Sequence, residues 1–126
     1  MEEQKFLKLN DIEAYKLSFS LSNYVWHIIS SWKNFEKDTI GKQFVRSTDS
    51  ISANIAEGFG RFGKKDKIRF FRVAQGSLYE TLDWNEKSKV RHLIPLSDYN
   101  HILDVLHKLP KAINSLIKFT NNNLTI

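Results

Sequence analysis

Residues 65–91 read KDKIRFFRVAQGSLYETLDWNEKSKVR. Ile68, Phe71, Ala74, Leu78 and Leu82 recur there at intervals of three and four, which places them on one face of an α-helix. A second line, Phe70, Val73, Ser77, Glu80 and Trp84, runs beside it, so apolar groups occupy more than one side. His92-Leu-Ile-Pro95 ends the stretch, because Ile94 before a proline is pushed out of helical geometry. The spacing predicts one long helix over about 65–91.

Working outward, Gly58-Phe-Gly-Arg-Phe-Gly63 is the break before that helix. Its three glycines offer positive-φ positions at a helix end, and Phe59 and Phe62 are expected to tuck the turn onto the core. Ile40, Phe44, Thr48, Ile51 and Ile55, with Val45 and Ala56 beside them, predict a helix over about 38–58, capped by Asp38 or Thr39. Ala14, Leu17, Leu21, Tyr24, Ile28 and Trp32, widened by Val25 and Ile29, predict another over about 11–32, capped by Asn10 or Asp11. The link at 33–37 is polar apart from Phe35. Tyr99, Ile102, Leu106, Leu109, Ile113 and Leu116 predict the last over about 97–120, with Ser97 as cap, a kink at Pro110 and a frayed tail from Asn121. Four helices joined by short links lie antiparallel to their neighbours in sequence. The expected fold is all-α, an up-down-up-down four-helix bundle forming a single domain over 1–126.

Composition agrees. The chain has 126 residues, a one-domain length. Its 41% hydrophobic and 26% charged residues are ordinary for a globule, which argues against disordered, collagenous and membrane classes. Only two prolines and five glycines leave too few turns for a β-sandwich or barrel. The absence of cysteine removes disulfides, thiolate metal sites and a cysteine nucleophile, and fits a reducing compartment. Met-Glu-Glu-Gln-Lys lacks the pattern of a secretory signal, and no apolar run approaches the ~20 residues that cross a bilayer. The expectation is a cytoplasmic protein without membrane contact.

Catalytic and cofactor motifs are absent. Gly58–Gly63 followed by Lys64 and Lys65 imitates a phosphate loop, but the hydroxyl residue is missing and a helix precedes it. Asp98-x-x-His101 and Asp104-x-x-His107 have the spacing of a bundle di-iron motif, yet both lie on one predicted helix. A solvated face is the reading. We expect no enzyme, no cofactor and no metal.

The segment from Phe44 to Asp83 carries Arg46, Ser50-Ile51, Asn54-Ile55-Ala56-Glu57-Gly58 and Arg61, then Phe71, Ala74, Gly76-Ser77-Leu78 and Glu80. In this it resembles the four-helix-bundle intervening-sequence proteins associated with insertions in bacterial large-subunit ribosomal RNA genes. That family is similar to the accessory variability determinant of diversity-generating retroelements. The resemblance implies a homopentamer with a central channel and a nucleic-acid role carried by a basic surface. The retroelement relative works with a reverse transcriptase, a partner that nothing in this sequence supports. Where many members have arginine and alanine before the Ser-Ile pair, this chain has Ser47, Thr48 and Asp49, and the acid weakens any basic surface on that helix.

The polar residues of this segment also have a structural reading. Arg46, Ser50, Asn54 and Glu57 form a stripe beside the apolar one, and Ser77 and Glu80 share a face of the next helix. Their donors and acceptors match, which predicts a buried network fixing helix register rather than a catalytic Glu57–Glu80 pair. Gly76, mid-helix, predicts a close helix approach, since glycine there costs about 1 kcal/mol relative to alanine.

Charge is local. Arg61, Lys64, Lys65, Lys67, Arg69 and Arg72 face one acid, Asp66, giving +5 in twelve residues, as much as the whole chain's net charge. Lys65, Arg69 and Arg72 share a helix face. These six bases are the candidate nucleic-acid-binding residues, RNA and DNA alike. A ring of five would carry about +25 around one rim, attracting polyanions with little sequence preference. The expected function is a non-catalytic homo-oligomer that binds nucleic acid through this rim. The alternative is a structural or adaptor protein that binds another protein, with the exposed aromatics of the third helix serving assembly.

Overall fold

A computed structural model describes residues 7–124. Four helices carry the fold: α1 (Glu13–Ile29), α2 (Lys42–Gly60), α3 (Lys64–Val90) and α4 (Leu96–Asn123). There is no strand among the described residues. A 3₁₀ turn, Leu9–Asp11, precedes α1. Before α2 the backbone is already helical, from Asn34–Glu36 through a π-helical turn, Lys37–Gly41.

Each helix packs on its two neighbours around a square: α1 on α2, α2 on α3, α3 on α4, and α4 on α1. Side-chain pairs fix the directions. Ser47 meets Thr81 and Ser50 meets Ser77, so α2 rises as α3 falls. Gln75 meets Asn114 and Asn85 meets the Tyr99 carbonyl, which sets α3 against α4. Tyr24 near the end of α1 reaches Asp98 at the start of α4. The bundle is therefore antiparallel, up-down-up-down.

The core is built from Leu21, Val25 and Ile29, from Phe44, Ile51 and Ile55, from Phe71, Ala74 and Leu78, and from Ile102, Leu106, Leu109 and Ile113. Two stripes depart from the apolar reading. On α1 the buried line is Ala14, Ser18, Leu21, Val25 and Ile29, while Leu17, Tyr24 and Ile28 form its half-buried edge and Trp32 packs half-buried just beyond the helix. On α3 the buried line continues from Leu78 through Thr81, Asn85 and Ser88, not Leu82. Ser18 and Ser88 are tolerated because each hydroxyl bonds a carbonyl of its own helix, Ala14 and Trp84. Asn85 donates to the Tyr99 carbonyl at 3.2 Å. Its Oδ1 is the one buried side-chain polar atom without a partner among the described residues.

The helix ends differ from expectation in several places. Ile12, in extended conformation, occupies the N-cap of α1. Asp11 instead accepts the Lys8 N–H at 2.9 Å and closes the preceding turn. The α1 helix stops at Ile29, three residues early. Ser30 and Ser31 hydroxyls take the His27 and Ile28 carbonyls at 2.7 and 2.8 Å there. Thr39 lies within the helical run and bonds the Phe35 carbonyl, so neither it nor Asp38 is a cap. Pro95, not Ser97, is the N-cap of α4, and the helix continues through Pro110 to Asn123. No glycine has positive φ, whereas His92 does, at 57°. Its N–H bonds the Lys89 carbonyl and the Leu93 N–H reaches back to Ser88, the paired bonds of a Schellman end to α3.

Gly58 has a different task. A Cβ there would stand 2.6 Å from Phe71 Cε1 and 2.9 Å from the Lys67 carbonyl, so its missing side chain lets α3 cross close over the end of α2. Gly76, expected to mark a close approach, faces outward, and a Cβ there would have no neighbour within 4 Å.

Candidate nucleic-acid interface

The six bases gather where α2 ends and α3 begins, at one end of the bundle. Gly63, extended, caps α3, and Arg61 closes the turn through its N–H to the Gly58 carbonyl at 3.2 Å. The side chains then divide by what they touch. Lys65 and Arg72 are exposed and make no ion pair or side-chain hydrogen bond among the described residues. Arg69 is exposed and bonds Asp66 through two nitrogens, at 2.8 and 3.2 Å. Arg61 approaches the other oxygen of Asp66 at 3.6 Å and Glu57 at 3.5 Å. Both guanidinium groups lie over the Phe70 ring, 4.7 and 4.4 Å from its centre. Asp66 thus anchors two arginines on one aromatic ring, and it fixes positions more than it contributes stability, since exposed pairs are worth about 0–1 kcal/mol. Lys64 reaches the Asn121 carbonyl at 3.4 Å, tying the rim to α4.

Lys67 is the exception. Its ammonium turns inward, 2.7 Å from the Phe59 carbonyl and over the Phe59 ring. Burial lowers its pKa. It satisfies a carbonyl at the end of α2, as a cation at a helix C-terminus does. Phe59 packs against the core as expected. Phe62 does not, being 80% exposed. Asp49 is held by the Ser22 hydroxyl.

The polar residues of α2 and α3 meet, but in pairs rather than as one buried network. Arg46 pairs with Glu80 at the surface, and the Trp84 indole donates to the same carboxylate at 3.1 Å. Ser50 and Ser77 hydroxyls stand 2.9 Å apart, and Asn54 donates to the Ser50 carbonyl and hydroxyl, each at 2.8 Å. Glu57 lies outside this line, exposed and directed to Arg61. The fully buried member is the Ser47–Thr81 pair at 3.0 Å, whose residues counting apolar spacing passes over. No group of three or more His, Asp or Glu side chains converges to hold a metal among the described residues. Asp98 is taken by Tyr24 at 2.6 Å and Asp104 by Lys108 at 3.2 Å.

An all-α antiparallel bundle with a basic end defines the class. The model of the family described as "23S rRNA-intervening sequence protein" matches residues 10–115, and the chain belongs to that family. A solved structure from Bacteroides thetaiotaomicron VPI-5482, described as a protein with unknown function from the S23 ribosomal protein family, has the same fold. The TM-score is 0.74 at 24% identity, over 83% of this chain and 98% of that one. Neither description names a catalytic activity. A search of curated proteins finds no match. No helix among the described residues is long and apolar enough to cross a membrane.

Proposed function

We propose that this is a non-catalytic, homo-oligomeric bundle protein that binds RNA or DNA through its basic rim. The observation that carries the reading is the pair of exposed cations Lys65 and Arg72, without a side-chain partner among the described residues, beside Arg61 and Arg69, which Asp66 holds in place. Guanidinium groups fixed on an aromatic ring lose less freedom when a phosphate arrives, and they keep N–H groups to offer it. Contacts of this kind go to the backbone and carry little sequence preference.

Self-association is supported by the outer face of α3. Val73 and Tyr79 are 45% and 63% exposed there, with Gly76 between them. Apolar patches left in solvent mark interfaces. A pentameric ring, the assembly implied by the family resemblance, would repeat the rim five times. The same stripe favours the second reading, an adaptor that binds a different protein.

Anisotropy titrations with labelled RNA and DNA at low salt test the binding. The wild type is expected to bind both, with affinity falling steeply as salt rises, by a log–log slope of about −0.9 per phosphate contacted on duplex DNA. Replacing Lys65, Arg69 and Arg72 together by glutamine flattens that slope by about 2 to 3 while leaving the circular dichroism unchanged. No binding by the wild type refutes the proposal. Binding unaffected by the triple change moves the site elsewhere. A monomer in sedimentation equilibrium at micromolar concentration refutes the assembly.

A further inference from the structure

At the far end of α2 from the basic rim, about 27 Å away by helical rise, the end of α1 and the π turn enclose a groove of roughly 340 Å³. Trp26, Ile29, Gly41 and Val45 line it, as do Lys37 and Lys42. Gly41 keeps the packing there close. A Cβ there would meet Ile29 Cγ2 at 3.0 Å and the Trp32 ring at 3.4 Å.

The three tryptophans of the chain are used differently. Trp32 is half-buried against the core. Trp84 bonds Glu80 through its indole N–H and stacks under Lys87. Trp26 is 63% exposed, with neither a ring partner nor a hydrogen bond among the described residues. Lys37 and Lys42 likewise form no ion pair or side-chain hydrogen bond among them. Glu36 and Asp38, their acidic neighbours in sequence, do not line the groove.

We propose that this groove holds an unpaired nucleobase stacked on Trp26, with the phosphate of the same nucleotide between Lys37 and Lys42. The proposal rests on the nucleic-acid role above and narrows the partner to strands with unpaired bases. An apolar side chain from a protein would cover the indole and leave two ammonium groups unanswered. A nucleotide answers both, because every base has a flat face to stack and every phosphate a charge to neutralise. A base inside a duplex cannot reach the indole.

The test is a low-salt titration with a 12-nucleotide oligothymidine and, separately, a duplex of equal length, following affinity and tryptophan fluorescence. The proteins are the wild type, Trp26→Leu, and the double variant Lys37→Gln, Lys42→Gln. Leucine keeps an apolar lining and removes the ring. The wild type is expected to show quenching and to prefer the single strand. Trp26→Leu should bind the single strand about tenfold more weakly, without the quench, while duplex affinity, sedimentation and circular dichroism stay as they were. The double variant should retain its indole yet lose most of the single-strand preference. Equal single-strand binding by wild type and Trp26→Leu overturns this proposal and leaves the rim standing. Binding of neither nucleic acid by the wild type overturns both. Dissociation of the assembly by Trp26→Leu marks the groove as a contact between copies and overturns it too.

Discussion

Adding one methyl group at Gly58 and the same methyl group at Gly76 should move stability in opposite directions. At Gly58 the new Cβ would lie 2.6 Å from Phe71 Cε1 and 2.9 Å from the Lys67 carbonyl. Carbon atoms prefer about 3.5–4.0 Å, so the overlap is about 1 Å. Phe71 is 1% exposed and enclosed by the core, and the second neighbour is backbone, so neither can step aside cheaply. Overpacking of this kind costs about 1–3 kcal/mol, and alanine's helix propensity returns at most about 1. The net loss for Gly58→Ala is about 1–2 kcal/mol, a fall in Tm of about 3–10 °C. At Gly76 the methyl meets nothing within 4 Å, so only the propensity term operates. Gly76→Ala should gain about 0.5–1 kcal/mol and raise Tm by about 2–5 °C. Urea denaturation and calorimetry of both variants measure the difference, and adding Phe71→Leu to Gly58→Ala should recover part of the loss. Gly58→Ala as stable as Gly76→Ala would refute the close-crossing account of the α2–α3 turn.

Two further outcomes follow from the helix ends. His92 carries the left-handed conformation that ends α3, at a cost of about 1–2 kcal/mol that glycine avoids. His92→Gly should therefore raise the urea midpoint, and a lowered midpoint would show that the imidazole makes a compensating contact. Tyr24 donates to Asp98, and this hydrogen bond, with burial and the carboxylate charge, pushes its pKa from 10.0 up to about 12. Because the folded value lies above the unfolded one, the stabilisation is complete below pH 10 and is lost as pH rises through 12. The stability advantage of the wild type over Tyr24→Phe should shrink across that window in paired urea titrations. An advantage that stays constant would contradict the assignment.

Helix number and direction could be read from the sequence because Ile51, Ile55, Leu78, Ile102 and Leu106 announce their faces by spacing alone. Thr81, Asn85 and Ser88 occupy equally buried positions but are silent in an apolar count. Two of them look polar only until their hydroxyls are seen bonded to Ser77 and Trp84 carbonyls. The glycines misled for a related reason. Composition shows that Gly58 lacks a side chain, but only tertiary packing shows that Phe71 needs the space. The rim was legible as a charge cluster, and Asp66–Arg69 could have been read as an i, i+3 pair. The inward turn of Lys67 depends on an open carbonyl eight residues back, at Phe59. Trp26 gave no signal, because an apolar residue beside a core stripe looks the same whether covered or bare.

The π turn at Lys37–Gly41 gives the chain one residue of slack. A π turn is an α-helix with a single residue spliced in, so the register of α2 from Phe44 onward is uncoupled from the length of the segment before it. Deleting exposed Thr39 would let the helix close into regular α geometry. Asn34–Glu36 would swing about 100° around the axis, while every core contact of α2 beyond the turn stayed in place. Length variation in this chain is thus accommodated here more readily than at the α2–α3 turn, where Gly58, Arg61 and Lys67 are each held to a particular neighbour.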